Sequence, residues 1–343
     1  MNSTTNFSRI YNLILLFLFK EIKNKNELYK ILNKYLCFKY VNLSLENVYT
    51  KSFNFGSEYN NLRYLNCSNI SILEIPKNLI NLKILKIINT NINSSIIPKT
   101  LINLERIYAD GSNITKLSKK LYNLKKIIIN NTNIRKIKYY KDLEYLDCSN
   151  NILTSISQYS NLKTLKCNNT LILNFNELIK NNISSTINNL HSFNDLLYLD
   201  CSNTNIINLP MNLNNLIYLN ISNTLIKYIE YRSLLNLEIL IGVKSKLEIL
   251  NKTLIKLKVL NINNNSKIKK IPSEYKNLEY LSIDNTKNIK KLSKKTNKIK
   301  YLSCENSQLK YIPINYFYLY FINIINTNII YTNRLNNTLF YFY

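Results

Sequence analysis

The chain has 343 residues, 46% of them hydrophobic, with 6 Cys, 5 Pro, 3 Gly, 1 His and no Trp. Lys and Arg number 46 against 20 Asp and Glu, a formal charge of +26. Three scattered glycines, Gly56, Gly111 and Gly242, exclude a phosphate-cradling glycine loop, and the one histidine, His191, has no Ser or Cys motif beside it to form a nucleophile relay.

In chain order, residues 1–61 open with an apolar run, Leu13–Phe19. It is far shorter than the roughly 20 residues needed to span a bilayer, so no membrane segment is expected. Arg9 precedes it as in a signal peptide, yet no A-x-A-like site follows and the charged "KEIKNK" begins at once. Leu28, Ile31, Leu32, Tyr35 and Leu36 recur at three- and four-residue spacing, the pattern of a second helix.

From Leu62 the sequence keeps restarting: "LRYLNCSNISILEIP" at Leu62, "LKILKIINTNI" at Leu82, "LEYLDCSNNIL" at Leu143, "LLYLDCSNTNIINLP" at Leu196 and "IKYLSCENSQLKYIP" at Ile299. Aligned, the units have apolar residues at positions 1, 4, 6 and 11 and a small hydroxyl or amide at position 9. Positions 4 and 6 alternate with polar ones, the period of a strand with one buried face. Position 9 is Thr90, Thr132, Thr170, Thr204, Thr224, Thr286 or Thr327, and Asn151 or Asn265 elsewhere, a column able to satisfy backbone groups of the buried turn. Pro76, Pro98, Pro210, Pro272 and Pro313 all fall on the return segments, outside the strands, where a missing N–H does no harm.

With about thirteen units 19 to 22 residues apart, residues 62–335 resemble the leucine-rich repeat family. The resemblance implies an α/β solenoid, a horseshoe with short parallel inner strands and irregular or short helical returns. One long domain is expected, interrupted at 173–195, with a small helical cap at 1–61 and a carboxy-terminal cap at 336–343 folded over the last unit. Short helices before such an array also resemble an F-box, carried here by Ile10, Leu13, Leu16, Leu18, Leu28, Ile31, Leu32, Cys37 and Phe38. The early Leu-Pro pair of that family has no counterpart, the first proline being Pro76. That resemblance implies docking on Skp1 and a cullin through residues 8–48; a plain cap shielding the open end of a solenoid has the same pattern.

Cys67, Cys148, Cys167, Cys201 and Cys304 stand at position 6, where other units have Ile or Ala, as buried free thiols do. With no C-x-x-C spacing, zinc is not expected, and the usage points to a reducing, intracellular and cytoplasmic setting over a secreted or surface one. The basic surplus lies on return segments, at Lys116, Lys119, Lys120, Arg135, Lys136, Lys138, Lys269, Lys270, Lys290, Lys291, Lys294 and Lys295, while inner strands carry Asp110, Asp147, Asp200, Asp284 and Glu305. Carboxylates along the floor argue against nucleic acid, and Lys, Asn, Ile and Tyr dominate together as AT-rich coding DNA would produce.

No carboxylate pair, metal cluster or nucleophile motif suggests an enzyme or a cofactor. The candidate site is the concave face of the sheet: Tyr64, Arg106, Tyr145, Tyr198, Tyr218, Tyr280, Tyr301 and Phe321 at position 3, with Asp147 and Asp200 at position 5. Tyr buries a large area and keeps a hydrogen-bonding tip, which suits a protein partner. The reading is therefore a monomer that recognises another protein without catalysis; a ubiquitin-ligase substrate receptor and a secreted repeat protein are the alternatives.

Overall fold

The computed structural model describes residues 42–46, 61–70, 74–93, 97–157, 159–173, 175, 193–210, 212–230, 234–329 and 339–341. Fifteen three-residue strands follow one another: β1 (Asn42–Ser44), β2 (Tyr64–Asn66), β3 (Ile84–Lys86), β4 (Arg106–Tyr108), β5 (Lys126–Ile128), β6 (Tyr145–Asp147), β7 (Thr164–Lys166), β8 (Tyr198–Asp200), β9 (Tyr218–Asn220), β10 (Ile239–Ile241), β11 (Val259–Asn261), β12 (Tyr280–Ser282), β13 (Tyr301–Ser303), β14 (Phe321–Asn323) and β15 (Leu339–Tyr341). The chain falls into two compact units, Met1–Thr132 and Asn133–Tyr343, where the sequence predicts one array. In a solenoid each repeat packs only on its neighbours, so nothing in the repeat pattern itself marks such a seam.

Within the first unit β1 to β5 pair in parallel in chain order, Tyr64 opposite Ile84 and Ile84 opposite Arg106. The second unit does the same from β6 to β15, with Tyr198 opposite Tyr218 and Tyr280 opposite Tyr301. The thirteen predicted restarts each supply one strand, β2 to β14. Position 4, Leu or Ile throughout, is fully buried, as are the position-6 cysteines and the position-18 residues Leu79, Leu121, Leu213 and Leu254. Positions 3 and 5 flank it on the opposite face, mostly half-buried. Among the described residues the returns are irregular and contain no helix, and no helix is long and apolar enough to cross a membrane. The return-segment lysines and arginines singled out above are exposed.

Two strands lie where the sequence reading places caps. β1 sits inside residues 1–61 and pairs with β2, because "NLSLEN" repeats the position 4 and 6 pattern with Leu43 and Leu45. The carboxy-terminal stretch extends the ladder as β15 beside β14. The expected helices, His191 and the rest of segment 8–48 lie outside the described residues. So does most of the 173–195 interruption, whose flanks Phe175 and Phe193 are buried against each other, ring centroids 5.9 Å apart.

Polar columns close each unit. The position-9 threonines donate to the position-6 carbonyl of their own turn, as Thr90 Oγ1 to Ile87 O at 2.9 Å and Thr204 Oγ1 to Cys201 O at 2.6 Å. The residue before them turns the chain in the left-handed region, with φ of 50 at Asn89, 55 at Asn203 and 57 at Asn285. Asn tolerates that region better than other side chains, and its N–H extends the ladder, as Asn89 N does to Asp110 O at 2.7 Å. Side chains link along this column too: Asn169 Nδ2 donates to Asn150 Oδ1 at 2.7 Å and Asn223 Nδ2 to Asn203 Oδ1 at 2.6 Å. A second asparagine column, just before position 1, caps carbonyls of the preceding repeat, with Asn103 Nδ2 on Ile80 O at 2.9 Å and Asn236 Nδ2 on Asn214 O at 2.8 Å. The prolines start the next turn, the Pro98 carbonyl accepting from Leu101 N at 3.4 Å and Pro272 from Tyr275 N at 3.3 Å.

Gly111 holds the left-handed position in its unit, at φ 63, and an added Cβ would meet only the amide end of Asn89 at 2.4 Å. An asparagine there can repeat the amide-to-amide bond of the other units once Asn89 rotates. Gly111→Asn is expected to destabilise the chain by about 0.5–1 kcal/mol, since a side chain at φ 63 is strained and its Cβ must displace the Asn89 amide, which already donates to Asn69 Oδ1 at 3.1 Å; an unchanged or raised urea midpoint would show that the amide of Asn89 yields.

Candidate functional site

The strand face turned away from the core collects the predicted residues in three groups. In the first unit Tyr64 is half-buried on β2 and Arg106 exposed on β4. Position-5 residues that the sequence reading did not select, Lys86 on β3 and Tyr108 on β4, complete the surface with the position-3 Lys126 on β5: Lys86 Nζ lies 5.7 Å from the Tyr64 ring centroid and 5.3 Å from that of Tyr108, and Lys126 Nζ lies 5.6 Å from Tyr108. Alternation of positions 3 and 5 on adjacent strands makes this interleaving, which a reading of position 3 alone misses.

In the second unit Tyr145, Asp147, Tyr198, Asp200 and Tyr218 form one group on β6 to β9. Tyr198 and Tyr218 stack, centroids 4.1 Å apart and planes 2° apart. Lys166 Nζ approaches the Tyr198 ring at 5.7 Å and the Asp147 carboxylate at 3.9 Å. The two aspartates brace the turn behind the strand: Asp147 Oδ1 accepts Ser149 Oγ at 2.8 Å, and Asp200 Oδ1 accepts Ser202 Oγ at 2.7 Å and Ser202 N at 3.0 Å. One oxygen of each is thus committed within the fold. Their first duty is structural, and the other oxygen of Asp147, Oδ2, is the one that Lys166 approaches.

The third group is Tyr280, Tyr301 and Phe321 on β12 to β14, stacked at 4.3 and 4.2 Å. Ile239 and Val259 on β10 and β11 separate it from Tyr218. Beside it runs a polar row. Asp284 Oδ1 accepts Ser303 Oγ at 2.6 Å and Glu305 N at 2.8 Å, and Asp284 Oδ2 accepts Asn263 Nδ2 at 2.9 Å. Parallel strands about 4.8 Å apart in register force like rings into such stacks. A consequence is that ring faces inside a stack cover one another and that edges and hydroxyls are what the stack presents. Burial and the neighbouring Tyr280 push the Tyr301 hydroxyl up to about 12, and burial with the Tyr218 hydroxyl raises Tyr198, so both remain neutral donors at ordinary pH.

A further column, at position 2 on the margin of the face, pairs opposite charges between neighbouring repeats: Lys83 with Glu105 at 2.8 Å, Lys163 with Glu144 at 2.9 Å, Lys258 with Glu238 at 2.8 Å and Lys300 with Glu279 at 2.7 Å. Solvent screens each pair, so they set register more than they stabilise. Among the described residues no group of His, Cys, Asp or Glu is placed to hold a metal ion.

No protein-family model matches the chain, and no curated protein does. Solved structures do. YopM from Yersinia enterocolitica superimposes with a TM-score of 0.64 at 20% identity, over 78% of this chain and 56% of YopM, little more than half of that protein. A leucine-rich repeat protein from Leptospira interrogans gives a TM-score of 0.62 at 18% identity, covering 90% of this chain and 94% of that one. The leucine-rich repeat ectodomain of the Arabidopsis thaliana receptor kinase GASSHO1/SCHENGEN3, solved in complex with Casparian strip integrity factor 2, gives 0.56 at 17% identity, over 83% of this chain and 44% of the ectodomain. The chain has the leucine-rich repeat fold.

Proposed function

We propose that the chain is a non-catalytic recognition scaffold that binds another protein on the outward strand face of its sheets. The observation that supports this best is the pair of stacked ladders, Tyr198–Tyr218 and Tyr280–Tyr301–Phe321. Stacking holds each ring in one rotamer before any partner arrives, so binding orders few side chains and loses little entropy. The hydroxyl tips beside Asn, Ser and Asp side chains supply directional donors and acceptors for a partner's backbone. The plant receptor ectodomain, solved with its factor bound, has the same fold. Five described cysteines are free and buried, which suits the intracellular setting that the sequence suggests.

The test is affinity capture from lysate with the full chain, followed by binding measurements on the recovered protein. Changing Tyr198, Tyr218, Tyr280 and Tyr301 together to Phe keeps the stacks and removes the hydroxyls, and is expected to weaken that complex by roughly tenfold or more. Changing the exposed Lys290, Lys291, Lys294 and Lys295 to Ser should leave it within about twofold. The opposite dependence would place recognition on the return segments. Recovery of Skp1 equally with both variants would instead favour the ligase-adaptor reading.

A further inference from the structure

The outward strand faces of the two units differ in charge. At positions 3, 5 and 7 of β2 to β5 the first unit has Lys86, Arg106 and Lys126 against one carboxylate, Asp110. The same positions of the second unit have Asp147, Asp200, Asp284 and Glu305 against Lys166 alone. Each unit taken by itself is therefore a different kind of surface, and the basic one is compact: its three cations stand on the consecutive strands β3, β4 and β5, about 4.8 Å apart per strand.

Aromatic rings hold two of these cations in place. Lys86 lies over the rings of Tyr64 and Tyr108 and Lys126 over Tyr108, and a cation–π contact orients an ammonium while leaving its charge. Arg106, exposed between them, offers a planar fork suited to a carboxylate. Glu105, adjacent in sequence, is engaged by Lys83 at 2.8 Å, and Glu46 at the β1 edge accepts Asn66 Nδ2 at 2.9 Å.

We infer that this face docks an acidic polypeptide segment, its carboxylates paired with Lys86, Arg106 and Lys126. An extended segment presents alternate side chains about 7 Å apart on one side, a spacing that lets two or three of them meet three cations spread over two strand intervals. A nucleic acid fits less well, because single-stranded bases need open ring faces for stacking and those of Tyr64 and Tyr108 are approached by the protein's own lysines. The inference rests on the proposed use of the strand face and names its partner in the first unit.

A labelled decaglutamate, titrated with the full chain and followed by fluorescence anisotropy, tests it. Lys86→Glu/Arg106→Glu/Lys126→Glu is expected to weaken binding by roughly tenfold or more, as charge reversal at an interface does. Lys290→Glu/Lys294→Glu/Lys295→Glu makes the same change in net charge on a return segment and should cost less than about twofold, being screened and off the face. The Gln triple at 86, 106 and 126 serves if the Glu triple fails to fold, with an intermediate loss expected. Equal loss in both Glu triples would reduce the binding to net charge and overturn the inference, and so would tighter binding of a labelled oligouridylate. If decaglutamate ignores the first-unit triples while the captured partner still depends on the four tyrosines, the acidic-segment assignment fails and strand-face recognition stands; if the tyrosines also prove indifferent, both fail.

Discussion

Raising the pH from 8 to 10 is expected to cost the folded chain about 7 kcal/mol through its buried thiols alone. Cys67, Cys148, Cys167, Cys201 and Cys304 are all buried. Loss of hydration pushes the Cys304 thiol up to about 12 and the other four higher still, from an ordinary value of 9.0. Above pH 9 the unfolded chain therefore releases protons that the folded chain keeps. Stability is fully present below the unfolded value and is lost as pH climbs toward the folded one, at about 1.4 kcal/mol per thiol for each pH unit. Tyr140, Tyr159, Tyr275 and Tyr316, whose hydroxyls burial raises in the same sense, add to the slope above pH 10. Urea midpoints at pH 8, 9 and 10 in the presence of reductant measure it. Changing Cys148, Cys167 and Cys201 to Ala, the residue that Ala109 already supplies at the equivalent site, should remove about three fifths of the thiol-linked loss. An unchanged slope in that variant would mean these thiols titrate alike in both states.

The strands were legible because burial leaves a period-two trace: position 4 and position 6 must be apolar wherever the chain packs on its neighbours, and twelve of the thirteen restarts carry that trace in full, the unit from Leu237 having Gly242 at position 6. The position-9 hydroxyls were legible for a related reason, since a buried turn needs a small donor. Two asparagine columns were not, although the pairs Asn89-Thr90, Asn203-Thr204 and Asn285-Thr286, and Asn103-Leu104, Asn236-Leu237 and Asn277-Leu278, recur in plain sight. The high asparagine content looked compositional, whereas left-handed backbone at position 8 and carbonyl caps before position 1 select that residue on physical grounds. The strands β1 and β15 were missed because each lacks the flanking units that make the template visible. At the candidate site the identity of the rings was readable, but their mutual stacking depends on register between repeats, and the basic face of the first unit emerges only when positions 3 and 5 of successive strands are set side by side.

The second large effect concerns Asn265, which stands where most units have Thr. Its side chain is buried, and Nδ2 donates to Gly242 O at 2.6 Å in the preceding repeat and to Ile262 O at 2.7 Å in its own, while Oδ1 accepts Ser245 Oγ at 2.9 Å. A threonine reaches only its own carbonyl, as Thr286 Oγ1 does Ile283 O. Ser245, the position-9 residue of the preceding unit, directs its hydroxyl to Asn265, so the Gly242 carbonyl relies on the next repeat for a side-chain donor. Asn265→Ala withdraws side-chain donors from two buried carbonyls at once, and the expected cost is about 3–4 kcal/mol, against about 1–2 kcal/mol for Asn265→Thr, which restores one of them. Chemical denaturation of the two variants separates the cases. Equal losses would mean that the bond across the repeats contributes nothing and that Asn265 is held only for its own turn; a loss confined to Ala and near zero for Thr would mean that water replaces the amide at Gly242.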